Sequence, residues 1–176
     1  MTGVLLVGGA STRFGGPKAL ARLEGETLAE RAWRTLGEAA DERLAVGKLS
    51  DRLPLPFPVV DDGTDVRAPI AGVVAGLRAA SHDVCVFLPV DCPLVSAHSL
   101  RALAAAVGVP QTGPLPGAYP RAALPMLERR LADGRLTLRD AVAELGLPTV
   151  ELAAAELVNV NVPADLDRLR RRAPTG

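Results

Sequence analysis

The chain has few aromatic residues, cysteines, histidines or lysines, and no excess charge of either sign. Phe, Trp and Tyr supply 3% of its 176 residues, so the core must be built from Leu, Val and Ala. Cys85 and Cys92 are too few and too oddly placed for the disulfide framework of a small secreted domain. His82 and His98 have no Cys or His at metal-ligand spacing, which argues against a zinc site and favours surface or capping roles. Acidic and basic residues number 20 each, so no global field draws nucleic acid or an anionic membrane, and any phosphate site has to be local. No apolar run reaches the roughly 18 residues that span a bilayer. These absences point to a soluble, cytoplasmic chain. With no linker, repeat or low-complexity tract, residues 1–176 are expected to form one domain.

What is present is an alternation of short apolar runs and helical periodicities. Val4-Leu5-Leu6-Val7 is apolar throughout and stops at Gly8-Gly9, as a strand buried on both faces would. Leu28, Ala32, Trp33, Leu36 and Ala40 recur at helical spacing, with Thr27 and Glu30 placed for a capping box. Arg43–Val46, Pro58–Val60 and Asp83–Leu88 read as further strands, and residues 70–80 as a helix between the last two. Ser96 is placed to cap a helix to about Val107, and residues 108–120, rich in Pro and Gly, read as an irregular region with room for one short strand. Helices near 121–133 and 137–145, a strand near 148–152 and a helix from Pro163 close the chain. The pattern predicts an α/β fold, a mostly parallel Rossmann-like sheet with helices on both faces.

In such sheets ligands bind beyond the carboxyl ends of the strands, and three polar clusters directly follow strand-like runs. The first, residues 8–18, has small residues whose N–H groups can converge on an anion, with Arg13 as a planar fork and Lys18 as a point charge. It is neither a P-loop nor a dinucleotide fingerprint, because the glycine spacing fails both. Only Lys18 and Lys48 break an otherwise all-Arg usage, which singles out the lysine beside this loop. The second is Asp91, between Pro89 and Pro93, a hard-oxygen ligand suited to Mg²⁺. The third is Asp61-Asp62. Asn159 and Asn161 alternate with valines, which in an extended chain turns both to one face. Taken singly, each cluster also admits a plainer role as turn, cap or polar edge. The Arg168, Arg170, Arg171 and Arg172 run is most simply a solvated face.

Leu6-Val7-Gly8-Gly9-Ala10-Ser11-Thr12-Arg13-Phe14-Gly15-Gly16-Pro17-Lys18 resembles the Leu-x-Gly-Gly-x-Ser-x-Arg-x-Gly-x-x-Lys signature of the molybdenum cofactor guanylyltransferase family. The resemblance continues through Pro69-Ile70-Ala71-Gly72, the strand into Asp91-Cys92-Pro93, and Asn159-Val160-Asn161. It implies a nucleotide-diphospho-sugar-transferase-like fold in which Leu6, Val7, Gly8 and Gly9 wrap the nucleotide. Arg13 and Lys18 would contact phosphates, Asp62 would hold the guanosine, and Asp91 would bind Mg²⁺ as well as nucleotide. Gly72, Asn159 and Asn161 would face the acceptor. Asp62 is preferred to Asp61 because it lies ten residues before Gly72. The chain departs from the family at Ala68, where Gly is usual, and at Gly47-Lys48, where an Asn is common.

The implied reaction moves GMP from GTP to the phosphate of molybdopterin, with Arg13, Lys18 and Asp91 as the catalytic set and Mg²⁺ as cofactor. Molybdoenzymes or cofactor-delivery proteins are the implied protein partners, with neither nucleic acid nor membrane involved. Relatives that use CTP typically read Leu-Ala-Ala-Gly at the first motif. Gly8, without a Cβ, leaves more room and favours a purine. Sibling transferases using CTP, a sugar phosphate or phospholactate, and a GTP-binding adaptor without turnover, are the alternatives.

Overall fold

The computed structural model describes residues 1–8 and 14–172. The central strand β1 (Thr2–Leu6) is buried along its whole length. Its side chains alternate between two cores, with Val4 and Leu6 on one face and Leu5 and Val7 on the other. That two-sided burial is why the run is apolar without alternation.

After β1 the chain makes a small hairpin, β2 (Arg22–Leu23) and β3 (Glu26–Thr27). Its two-residue turn needs positive φ at both positions, and Glu24 and Gly25 take φ 53° and 89°. Helix α1 (Leu28–Ala39) starts at Thr27, whose hydroxyl accepts from the N–H of Glu30 at 3.1 Å while the Glu30 carboxylate accepts from the N–H of Thr27 at 2.9 Å. A cap of this kind contributes about 1 kcal/mol. Strand β4 (Glu42–Gly47), the short β5 (Val60–Asp61), helix α2 (Pro69–Ala79) and strand β6 (Val84–Pro89) follow. Helix α3 (Ala97–Ala106) is capped by Ser96, which accepts from the N–H of Ser99.

The Pro- and Gly-rich stretch holds two short strands, β7 (Val109–Pro110) and β8 (Gly117–Pro120). Helices α4 (Leu124–Ala132) and α5 (Leu138–Leu145), strand β9 (Thr149–Val150) and helix α6 (Pro163–Arg172) complete the described chain. The main sheet runs β5-β4-β1-β6-β8, its first four strands parallel and β8 antiparallel to β6. Strands β7 and β9 pair apart from it. Helices α2, α4 and α5 cover one face, and α1 and α3 the other. This is the expected α/β sheet, and β8, a short strand of the kind that residues 108–120 had room for, is its antiparallel edge.

From β1 the chain steps outward to β4 and β5, then crosses back through α2 to β6 on the far side of β1. That reversal splays the loops after β1 and β6 and opens a crevice at the carboxyl ends of the strands. Residues 158–162 form no strand. Val160 is nevertheless fully buried and donates its N–H to the Asp91 carbonyl at 2.8 Å, which pins this segment to the end of β6. Leu166 and Leu169 of α6 bury against Leu23, Leu28 and Val160.

Candidate active site

The crevice is a cleft of about 420 Å³ whose wall includes Leu6, Val7 and Gly8 of the β1 end, Lys18, Asp62, Gly72, Asp91 and Asn159. Eight of the positions singled out from the sequence therefore meet around one space, although they lie as far apart as residues 6 and 159. Gly9 and Arg13 lie outside the described residues. Gly72 packs α2 against β1, since a Cβ there would stand 2.9 Å from Leu6 Cδ2. A Cβ on Gly8 would stand 3.6 Å from Gly47 Cα and 3.9 Å from Lys48 N, so its absence leaves room at the β4 side of the cleft.

The β6 side is built around Lys18. Its ammonium donates to Asp91 Oδ2 at 3.3 Å and to Asn161 Oδ1 at 3.2 Å. Asn161 does not line the wall itself and enters through this contact. Its backbone N–H donates to Asp165 Oδ2 at 2.8 Å, as that of Val162 does at 3.0 Å. Those two bonds hold the Asp165 carboxyl below its ordinary range and fix the start of α6. Asn159 Oδ1 accepts from the Cys92 thiol at 3.3 Å. Burial pushes that thiol well above its ordinary pKa, and the neighbouring Asp91 charge adds to the effect, so Cys92 serves as a neutral donor.

A hard divalent cation fits this donor set. Asp91 offers a carboxylate, and Asn159 and Asn161 offer neutral carbonyl oxygens. Among the described residues no group of three or more His, Cys, Asp or Glu could hold a metal. Mg²⁺ matches such a sparse set because it keeps several waters and is shared between one or two carboxylates and substrate phosphates.

The β4 side carries a second pair, of which sequence reasoning assigned a role to Asp62 and none to Lys48. Lys48 Nζ stands 2.9 and 3.0 Å from the two oxygens of Asp62 and also donates to the Thr64 carbonyl. Lys48 and Asp62 both line the cleft and are only 10% and 9% exposed. The rarity of lysine was the signal, since both lysines of the chain lie in this cleft. Asp61 faces elsewhere: its oxygens accept from the N–H groups of Leu49 and Gly63, each at 2.8 Å, and these bonds lower its pKa. It shapes the turn. His82, for which no metal role was expected, lies at the opposite end of the sheet beside Glu42 and Thr2.

A doubly covered parallel sheet with a glycine-bearing strand end, a lysine and a hard-oxygen cluster at its switch point is the build of a nucleotide-binding transferase. The MobA-like NTP transferase domain matches residues 3–149. A molybdenum cofactor guanylyltransferase from Pseudomonas putida is 32% identical over 95% of this chain and 94% of its own length. The structure of molybdopterin-guanine dinucleotide biosynthesis protein A from Archaeoglobus fulgidus superposes with a TM-score of 0.76 at 25% identity, covering 97% of each chain. A 2-C-methyl-D-erythritol 4-phosphate cytidylyltransferase from Thermus thermophilus, 20% identical with a TM-score of 0.69 over 96% of each chain, shares the fold. The chain belongs to the molybdenum cofactor guanylyltransferase family of nucleotidyltransferases.

Proposed function

We propose that this chain transfers GMP from GTP to the terminal phosphate of molybdopterin, releasing pyrophosphate and forming the guanine dinucleotide cofactor. The observation that carries the reading is the meeting of Lys18 with Asp91 and Asn161 at the carboxyl ends of β1 and β6. A cation there, beside hard oxygens and the backbone of Gly8, suits a triphosphate better than any neutral ligand.

An oxygen of the acceptor phosphate attacks the α-phosphorus of GTP, the new P–O bond forms, and the α–β bridge breaks to release pyrophosphate. The acceptor oxygen is already ionised, so no general base is required, and the chain's task is positioning and charge neutralisation. Lys18 offsets negative charge that develops on the leaving pyrophosphate, a role Arg13 would share. Asp91 would hold Mg²⁺, with Asn159 and Asn161 as neutral oxygens beside it. When bound, the ion supplies Lewis-acid polarisation of phosphate oxygens. Leu6, Val7, Gly8 and Gly9 wrap the nucleotide, and Gly72 belongs to the acceptor side. Residues 1–176 would act as one catalytic domain in the cytoplasm, with molybdoenzymes or cofactor-delivery proteins as partners.

The test is pyrophosphate release with each of the four ribonucleoside triphosphates, with and without molybdopterin. Release that requires both GTP and molybdopterin, and that Lys18→Ala lowers by about 10²-fold, is the expected result. Release with CTP in preference to GTP, or full turnover by Lys18→Ala, would refute the proposal.

A further inference from the structure

We propose that Lys48 is a base-specificity residue: with Asp62 it forms a donor–acceptor pair that reads the keto–imide edge of guanine. The inference rests on reading the cleft as the GTP site and adds to it a residue and a rule of selection.

The two ends of the cleft differ in chemistry. At the β6 side an ammonium faces hard oxygens, an arrangement for phosphate and metal. At the β4 side an ammonium and a carboxylate neutralise each other, and the nearby wall is Val46, Val66, Ala68 and Pro69 with a second self-neutralising pair, Arg67 and Asp51. A flat, uncharged group with polar atoms on one edge is what such a wall accommodates. A nucleobase has that form.

The pair is fixed in orientation. Both Asp62 oxygens approach the Lys48 ammonium almost equally, which one bifurcated hydrogen satisfies. The Thr64 carbonyl takes a second hydrogen, and the N–H of Thr64 donates back to Asp62 Oδ1 at 3.3 Å. The third ammonium hydrogen is left for a ligand in the cleft, beside the unused lone pairs of Asp62. Donor and acceptor therefore stand side by side in a set order. Guanine offers the complement, with the O6 acceptor next to the N1–H donor. Adenine and cytosine carry an amino donor next to a ring-nitrogen acceptor, so in the same orientation they would leave the buried pair mismatched, while uracil shares the keto–imide edge and differs from guanine in size. A ribose diol could also donate to the carboxylate and accept from the ammonium, but it is the same in GTP and 6-thio-GTP, so a preference between those two reports the base alone. The space left by Gly8 next to Lys48 N lies on this same side of the cleft.

The experiment is equilibrium competition between GTP and 6-thio-GTP, whose sulfur is a weaker acceptor in place of O6. Wild-type protein is expected to bind GTP about tenfold more tightly, the share of one charge-assisted hydrogen bond. Lys48→Met is expected to bind GTP about tenfold more weakly and to hold the two nucleotides within about threefold. Lys48→Gln, which keeps an N–H donor without the charge, retains only part of the preference and serves if the Met variant does not fold. Equal binding by the wild type, or an undiminished preference in either variant, overturns the inference. Binding is read without turnover, so a protein that selects GTP but releases no pyrophosphate counts against the proposed reaction alone.

Discussion

Both lysines of the chain sit in one cleft, each against an aspartate, yet the two pairs are built for different ends. Lys48 and Asp62 are close, nearly symmetrical and almost fully buried, with the Thr64 carbonyl completing the cage. Lys18 and Asp91 are 3.3 Å apart and more open, at 16% and 27% side-chain exposure, and Asn161 draws on the same ammonium. A buried, tightly bonded pair is part of the wall. An open, stretched one can exchange partners when phosphates and a metal ion arrive. The same two residue types thus yield a rigid edge, proposed for recognition, and an adaptable centre, proposed for chemistry, and geometry separates them.

The contrast between the pairs is most open to challenge at the reactive end. Asp91→Asn removes the carboxylate proposed to hold the metal ion and is expected to lower single-turnover pyrophosphate release by about 10³-fold, while urea denaturation remains close to wild type. Next come the two lysines, exchanged for the same residue. Lys48→Met leaves a buried carboxylate without its cation and should cost about 3 kcal/mol in urea denaturation. Lys18→Met should cost under about 1 kcal/mol. Equal losses would erase the distinction between wall and centre.

The smallest effect concerns an acid at the other end of the sheet, a reference for a fully held charge. Glu42 accepts from the Thr2 hydroxyl and from the N–H of Ser81, with His82 nearby, and these bonds lower its pKa from an ordinary 4.5 to about 2. The folded pKa is depressed, so the stabilisation is complete above about pH 4.5 and is lost as pH falls towards 2. Glu42→Gln is expected to flatten the fall of thermal stability across that window, measured by melting at successive pH values.

Much of this was legible in the sequence because local signals agreed with the fold. The unbroken apolar runs of β1 and β6 followed from burial on two faces, and Thr27 and Glu30 announced the start of α1. Of strand β8 only the room for one short strand within residues 108–120 was legible, not its bounds or its pairing. Proline and glycine at its borders obscure a strand whose partner, β6, lies some thirty residues earlier. The hairpin of β2 and β3 has two residues per strand, too few for a periodicity. At the site, strand ends located Lys18, Asp62 and Asp91. Lys48 escaped because a lysine after a strand looks like any surface charge until Asp62, fourteen positions on, is folded against it.

The bond from the Val160 N–H to the Asp91 carbonyl has a consequence for how the molecule is made. The proposed nucleobase wall draws on residues up to Pro69, but the proposed metal end also needs Asn159 and Asn161. A nascent chain emerging from the ribosome therefore acquires its recognition half first and its reactive half last. Until the final helix docks, such a polypeptide carries the base-side residues without the two asparagines of the β6 side.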